Sequence, residues 1–216
     1  MKKLVLTLVL CLSVVAMYAQ EETADPKAKA ILQSLGKKTK AYKTIKAEFT
    51  MVVYGKDGKP TDNQKGNLTI KGGKYKFDMK NQVVISDSNT MWTYLKDANE
   101  VQINNVDHNT DKGSISPATI FTIYEKGFKS HFESEEGNLE VVDLYPKHPE
   151  KEKYHTIKLV IDKNKNQITS IKVMLKDGTM MSYTIDNFVT DTAIADSYFK
   201  FEAKDYPGVE VTDLRE

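Results

Sequence analysis

Cysteine and arginine are almost missing from this 216-residue chain. The one cysteine, Cys11, lies inside an apolar run near the N-terminus, and the one arginine is Arg215. Beyond that run there is no thiol. Disulfides, thiolate metal ligation and a cysteine nucleophile are therefore excluded there. Lysine supplies nearly all the positive charge. It is a strongly hydrated point charge that suits a solvated face, whereas forked recognition of phosphate favours arginine. No basic block stands out, so nucleic acid is not expected as a partner. Catalytic signatures are missing as well: there is no G-x-G-x-x-G, Walker loop, G-x-S-x-G or H-E-x-x-H.

What titratable material remains reads as ordinary surface. His108, His131, His148 and His155 lack metal-ligand spacing, although His148 and His155 flank one loop. Glu133, Glu135 and Glu136 read as a solvated strand end rather than an acid–base pair. Gly72-Gly73, with a strand on each side, reads as a hairpin turn rather than a phosphate nest. No metal, no cofactor and no enzymatic activity are expected.

The N-terminus reads as an export signal. Lys2 and Lys3 precede the apolar run from Leu4 to Val15, and Ala16 and Ala19 follow. The run is short for a membrane span. Cleavage is expected after Ala19, with Ala16 the alternative, leaving residues 20–216 as one domain. Leu10 before Cys11 argues against a lipid anchor. The remaining chain carries 29 basic and 30 acidic residues, a net charge of −1. Without disulfides it must be held by its core, for which a chain of this length suffices.

Asp25-Pro26 is a helix cap followed by proline at the first helical position. Ala28, Ile31, Leu32 and Leu35 then share one helical face, which predicts a helix from Pro26 to about Thr39 with Gly36 a weak point. From Thr44 the period becomes two. Ile45, Ala47, Phe49, Met51 and Val53 alternate with mostly polar neighbours, as do Leu68 and Ile70, then Tyr75, Phe77 and Met79. Lys74, Lys76, Asp78 and Lys80 predict a charged, solvated face on that last strand. Three apolar runs, 83–85, 91–95 and 101–103, are split by Asp87-Ser88-Asn89 and Asp97-Ala98-Asn99, the pattern of an antiparallel meander. Ser116-Pro117 opens an expected second, short helix through Ile120, Phe121, Ile123 and Tyr124 to Gly127. Strands resume near Lys129 and continue through Leu139–Tyr145, His155–Asp162, Gln167–Lys176 and Thr179–Thr190. About ten antiparallel strands should curl strongly or nearly close, with two helices on the concave side.

Six methionines follow the export signal: Met51, Met79, Met91, Met174, Met180 and Met181. Several share strands with Phe49, Tyr75, Phe77, Trp92, Tyr94 and Tyr183. Methionine suits surfaces that accept variable apolar shapes. Pattern alone leaves two readings, an ordinary core or a lipid-accepting cavity.

The run from Ile85 to Tyr94, continued to Glu100-Val101, resembles the meander of the periplasmic outer-membrane lipoprotein carrier family (LolA-type). Gly66-Asn67-Leu68, Tyr75-Lys76-Phe77, Phe199-x-Phe201 and Pro207-Gly208-Val209-Glu210-Val211 resemble further parts of it, in order, over most of the chain. The resemblance implies a mainly β fold, an unclosed antiparallel β-barrel with a helical lid over a hydrophobic cavity. It implies a monomeric, non-enzymatic periplasmic shuttle for acylated lipoproteins. Cargo would come from an inner-membrane ABC-transporter complex and pass to an outer-membrane acceptor. A sensor or a carrier of other lipids with the same fold is the alternative. By the match, Tyr75, Phe77 and Met79 fall on cavity-facing positions, with Phe49, Met51, Trp92 and Tyr183 as further acyl-cavity residues. Ile120, Phe121 and Tyr124 would belong to the lid. The family often carries a lid-latching arginine at the end of its second strand. Gly72 or Gly73 stands there, so the latch is expected either to be absent or to be built differently, with Lys71 or Lys74 as the candidates.

Overall fold

The computed structural model describes residues 25–106, 117 and 119–215. The signal peptide expected over 1–19 and Ser116 at the head of the second expected helix lie outside the described residues. Helix α1 spans Pro26–Ala41, two residues beyond its expected end. Its cap works as the sequence suggests: Asp25 Oδ1 accepts the backbone N–H groups of Lys27 (2.9 Å) and Ala28 (3.2 Å). Ala28, Leu32 and Leu35 are buried along one face.

One twelve-stranded sheet follows. Its strands are β1 (Ile45–Tyr54), β2 (Pro60–Lys71), β3 (Lys74–Asp78), β4 (Gln82–Ser86), β5 (Thr90–Leu95), β6 (Glu100–Asn105), β7 (Phe128–Glu136), β8 (Leu139–Pro146), β9 (Tyr154–Asp162), β10 (Gln167–Leu175), β11 (Met180–Thr190) and β12 (Glu210–Asp213). The spatial order is β12-β6-β5-β4-β3-β2-β1-β11-β10-β9-β8-β7. Two meanders, β1–β6 and β7–β11, are joined where β1 pairs antiparallel with β11, from Ile45 opposite Thr190 to Tyr54 opposite Met180. The edges, β12 and β7, do not pair with each other, so the barrel of described strands stays open. The mainly β, open architecture agrees with expectation. The uniform antiparallel pairing does not, because β12 runs parallel to β6, with Val211 opposite Val101. Four residues with one clear apolar pair carry too little pattern to announce such a strand.

The main core lies between α1 and the inner faces of the strands. Leu144, Ile157, Leu159, Ile161, Ile171 and Val173 are essentially inaccessible. Helix α1 is tied to the β7–β10 half of the sheet. Asp25 Oδ2 accepts from Phe132 N–H in β7, Asn166 donates to Ser34 Oγ, and Lys27 pairs with Glu135 at 3.0 Å. Among the described residues, no α-helix fills the other half of the inner surface.

A second core lies on the outer face. Val83, Ile85 and Val101 are buried there, and so is Phe199, from the segment that returns toward β12. Hence the face of β3 expected to be solvated is covered in part. Lys74 bonds Asp196 at 2.8 Å, the Lys76 ammonium lies 5.0 Å from the Tyr198 ring centroid, and Asp78 pairs with Lys96 at 2.7 Å. The second expected helix is also corrected. Among its described residues, 119–122 form turns and only Ile123–Glu125 is helical, a single 3₁₀ turn. Few residues and two β-branched isoleucines make a continuous α-helix costly there.

Candidate functional site

Period-two alternation places one side chain in two from each strand on the inner face. In the half not filled by α1, these side chains enclose a cavity of about 420 Å³. Its wall is Phe49 of β1, Leu68 of β2, Tyr75 and Phe77 of β3, Gln82 and Val84 of β4, Met91 and Thr93 of β5, Ile171 of β10, and Tyr183 and Ile185 of β11. Pro117, Ile120 and Phe121 complete it from above the sheet. Among the described residues no charged side chain lines it, and only Gln82 and Thr93 are neither apolar nor aromatic.

Three rings form a floor. Phe49 stacks on Phe77, with centroids 5.7 Å apart and planes 9° apart, and meets Tyr183 at 6.1 Å. Phe49 can lie across β2 because its cross-strand partner is Gly66. A Cβ on Gly66 would sit 2.4 Å from both Phe49 Cζ and Met79 Sδ. The hydroxyl of Tyr75 reaches Met91 Sδ at 3.4 Å, and that of Tyr183 reaches Met181 Sδ at 3.8 Å. Burial pushes both phenols above their ordinary pKa.

Of the residues expected in the cavity, Phe49, Tyr75, Phe77 and Tyr183 line it. Met79 is buried beside Gly66, outside the lining, and Met51 packs half-buried against the core. Trp92 is on the outer face, opposite Ile85 and Ile103, while its neighbours Met91 and Thr93 face inward. The usual rule of apolar-in, polar-out misleads here, because the returning C-terminal segment makes the outer face apolar too. Val83, Val84 and Ile85 form an unbroken apolar run, the one signal that β4 is covered on both faces.

Ile120 and Phe121 line the cavity from the covering segment, whereas Tyr124 is buried behind it. Phe121 meets Phe188 edge-on at 5.4 Å. Lys40 of α1 pairs with Glu125 at 2.7 Å. Gly36 lets the segment approach: a Cβ there would lie 3.2 Å from Glu125 Oε1 and 3.6 Å from Tyr124 Cε2. Burial pushes the Tyr124 phenol up to about 12. The expected latch from Lys71 or Lys74 is not what the structure has. Both lysines bond Asp196, and Lys71 also bonds the Ile194 carbonyl, so they fasten the C-terminal segment instead. Their hydrogen bonds hold the Asp196 carboxyl down at about 2.

A largely apolar cavity inside an open curled sheet, uncharged among the described residues, has the form of a site for apolar ligands. The family model of the outer membrane lipoprotein carrier protein LolA matches residues 40–202, and the chain belongs to that family. It is 27% identical over 192 residues to an outer-membrane lipoprotein carrier protein of Legionella pneumophila strain Corby, covering 81% of this chain and 87% of that one. The counterpart from strain Paris is 26% identical over 191 residues, with the same coverage. Among solved structures, an uncharacterized conserved protein from Thermus thermophilus superposes with a TM-score of 0.58 at 11% identity, over 88% of this chain and 99% of that one. That likeness concerns the fold alone.

Proposed function

We propose that the protein is a periplasmic carrier that holds the acyl chains of lipoproteins in this cavity and moves them from the inner to the outer membrane. The mostly apolar lining of the cavity, uncharged among the described residues, carries the reading, and family membership supports it. In this reading residues 1–19 direct export, and the mature chain works as a monomer without enzymatic chemistry. It receives cargo from an inner-membrane ABC-transporter complex and delivers it to an outer-membrane acceptor.

Energetics set a condition on such a carrier. Burying a sixteen-carbon chain contributes roughly 12 kcal/mol, at about 0.8 kcal/mol per methylene. Two or three such chains would pass the practical affinity ceiling of about 20 kcal/mol, and the cargo would not leave. A cover whose contacts break on loading offsets part of that gain. In this reading Phe121 and Ile120, which line the cavity from the covering segment, supply such contacts.

The test is to incubate the purified protein with spheroplasts that synthesise labelled lipoproteins. Release of acylated lipoproteins bound to the protein is the expected result, and Phe121→Glu should abolish it while leaving the circular dichroism spectrum unchanged. Free lipid bound in place of lipoprotein would move the function to general lipid carriage or sensing.

A further inference from the structure

Two polar groups in the cavity wall have partners poorer than their chemistry calls for. Tyr75 and Tyr183 are mostly buried phenols, and a buried O–H normally finds a good acceptor. Each instead meets a methionine thioether, at 3.4 Å and 3.8 Å. Thioether sulfur is a weak acceptor. If these positions only filled space, phenylalanine would serve, as it does at Phe49 and Phe77 in the same wall. Methionine has three rotatable bonds and can move aside when a better acceptor arrives.

We propose that Tyr75 and Tyr183 read acyl carbonyls: each phenol donates to the ester or amide oxygen of a bound acyl group, so the cavity distinguishes acyl compounds from plain hydrocarbon chains of equal length. The inference rests on the acyl-binding reading above and adds the feature by which a ligand is recognised. A phenol is protonated at neutral pH even at its ordinary pKa of 10.0, and burial raises both of these further, so both are donors. Their strands are three ladder steps apart, β3-β2-β1-β11, which is roughly 14 Å along the sheet at about 4.8 Å per step. Between them lies the floor of Phe77 and Phe49, which contacts chain rather than head.

The test compares methyl palmitate with octadecane, a plain hydrocarbon of equal chain length that offers no acceptor, as competitors of a fluorescent apolar probe. The ratio of ester affinity to hydrocarbon affinity should fall by roughly 2- to 10-fold, the worth of one neutral hydrogen bond, from wild-type protein to the double variant Tyr75→Phe, Tyr183→Phe. Each single variant should lower that ratio by less. An isotope-labelled ester carbonyl should absorb at lower frequency when bound to wild-type protein and return to its apolar-solvent position in the double variant. An ester-to-hydrocarbon ratio that is the same in wild-type protein and in the double variant overturns the inference while the acyl-binding reading stands. Binding of neither compound overturns both. Ester-linked acyl groups occur in lipopeptides and in phospholipids, so a diacylated lipopeptide and a phosphatidylglycerol with matched chains form the last pair. Loss of affinity for either one in the double variant upholds the inference and names the source, and loss for neither overturns it.

Discussion

The Asp25 carboxylate joins the first turn of α1 to the backbone of Phe132 on the edge strand β7, its Oδ2 accepting that N–H at 2.8 Å while Oδ1 caps the helix. The register of β7 on β8 slips between Phe132 and Ser134, which frees the Phe132 amide for an outside acceptor. His131 adds its Nδ1 at 3.4 Å. One side chain thus anchors the helix and closes a gap in the edge.

Acid should reveal this anchor. The Phe132 amide, followed by that of Ala28, holds the Asp25 pKa below its ordinary 3.8. A carboxyl depressed on folding stabilises the fold fully above its unfolded pKa, and that stabilisation is lost as pH falls through the folded value. Asp25→Asn keeps one acceptor oxygen, so its NH₂ must face either the Phe132 N–H or the N–H groups of the helix cap, donor against donor. It should lower Tm at pH 7 and show a smaller further drop than wild type between pH 4 and pH 2. Thermal melts across that range, with hydrogen exchange at the Phe132 amide, decide it. An identical acid limb in both proteins would count against the anchor.

Gly66 is expected to tolerate no side chain. An alanine Cβ would meet Phe49 and Met79 at 2.4 Å, so both must move, at about 1–3 kcal/mol for overpacking. Phe49 is displaced toward the cavity, so Gly66→Ala should reduce both the urea midpoint and the amount of apolar probe bound. A lower midpoint with undiminished probe binding would place the displacement elsewhere.

Asp196 holds the C-terminal segment through Lys71 and Lys74. Asp196→Asn should speed amide exchange in β12 and β6 while leaving α1 and β8–β10 unaffected. Because the Asp196 pKa lies at about 2, below its ordinary 3.8, the same loosening should appear in wild-type protein as pH falls from about 4 towards 2. Exchange that is uniform across the sheet would show that the two lysines are not what fastens the segment.

Legibility differs from element to element for physical reasons. Asp25-Pro26 announces α1 because cap and proline act locally, and β1, β3 and the β4–β6 meander are plain in alternation and turn residues. The cavity is half legible: Tyr75 and Phe77 follow from the one-sided pattern of β3, but no parity rule fixes the facing of β5, where Trp92 points out and Thr93 in. Phe199, distant in sequence, is fully buried, and only the fold reveals that. The covering segment reads as a helix in sequence because its apolar residues suit one. Its apolar contacts with the cavity and Phe188 are satisfied by turns as well. The expected lysine latch misleads for a related reason: charge on a hairpin says what it can bind, not which segment comes to it.

The seam between β1 and β11 joins residues near opposite ends of the chain, and β12 reaches back to β6 in the same way. Pairings this remote are slow to form. A chain emerging from its N-terminus offers β1 with one edge still bare until β11 has been made, and β6 waits longer still for its last neighbour. The sheet therefore cannot be completed piecemeal. Until nearly the whole polypeptide is present, its inner surface stays exposed to whatever holds nascent chains, and the finished vessel appears only at the end.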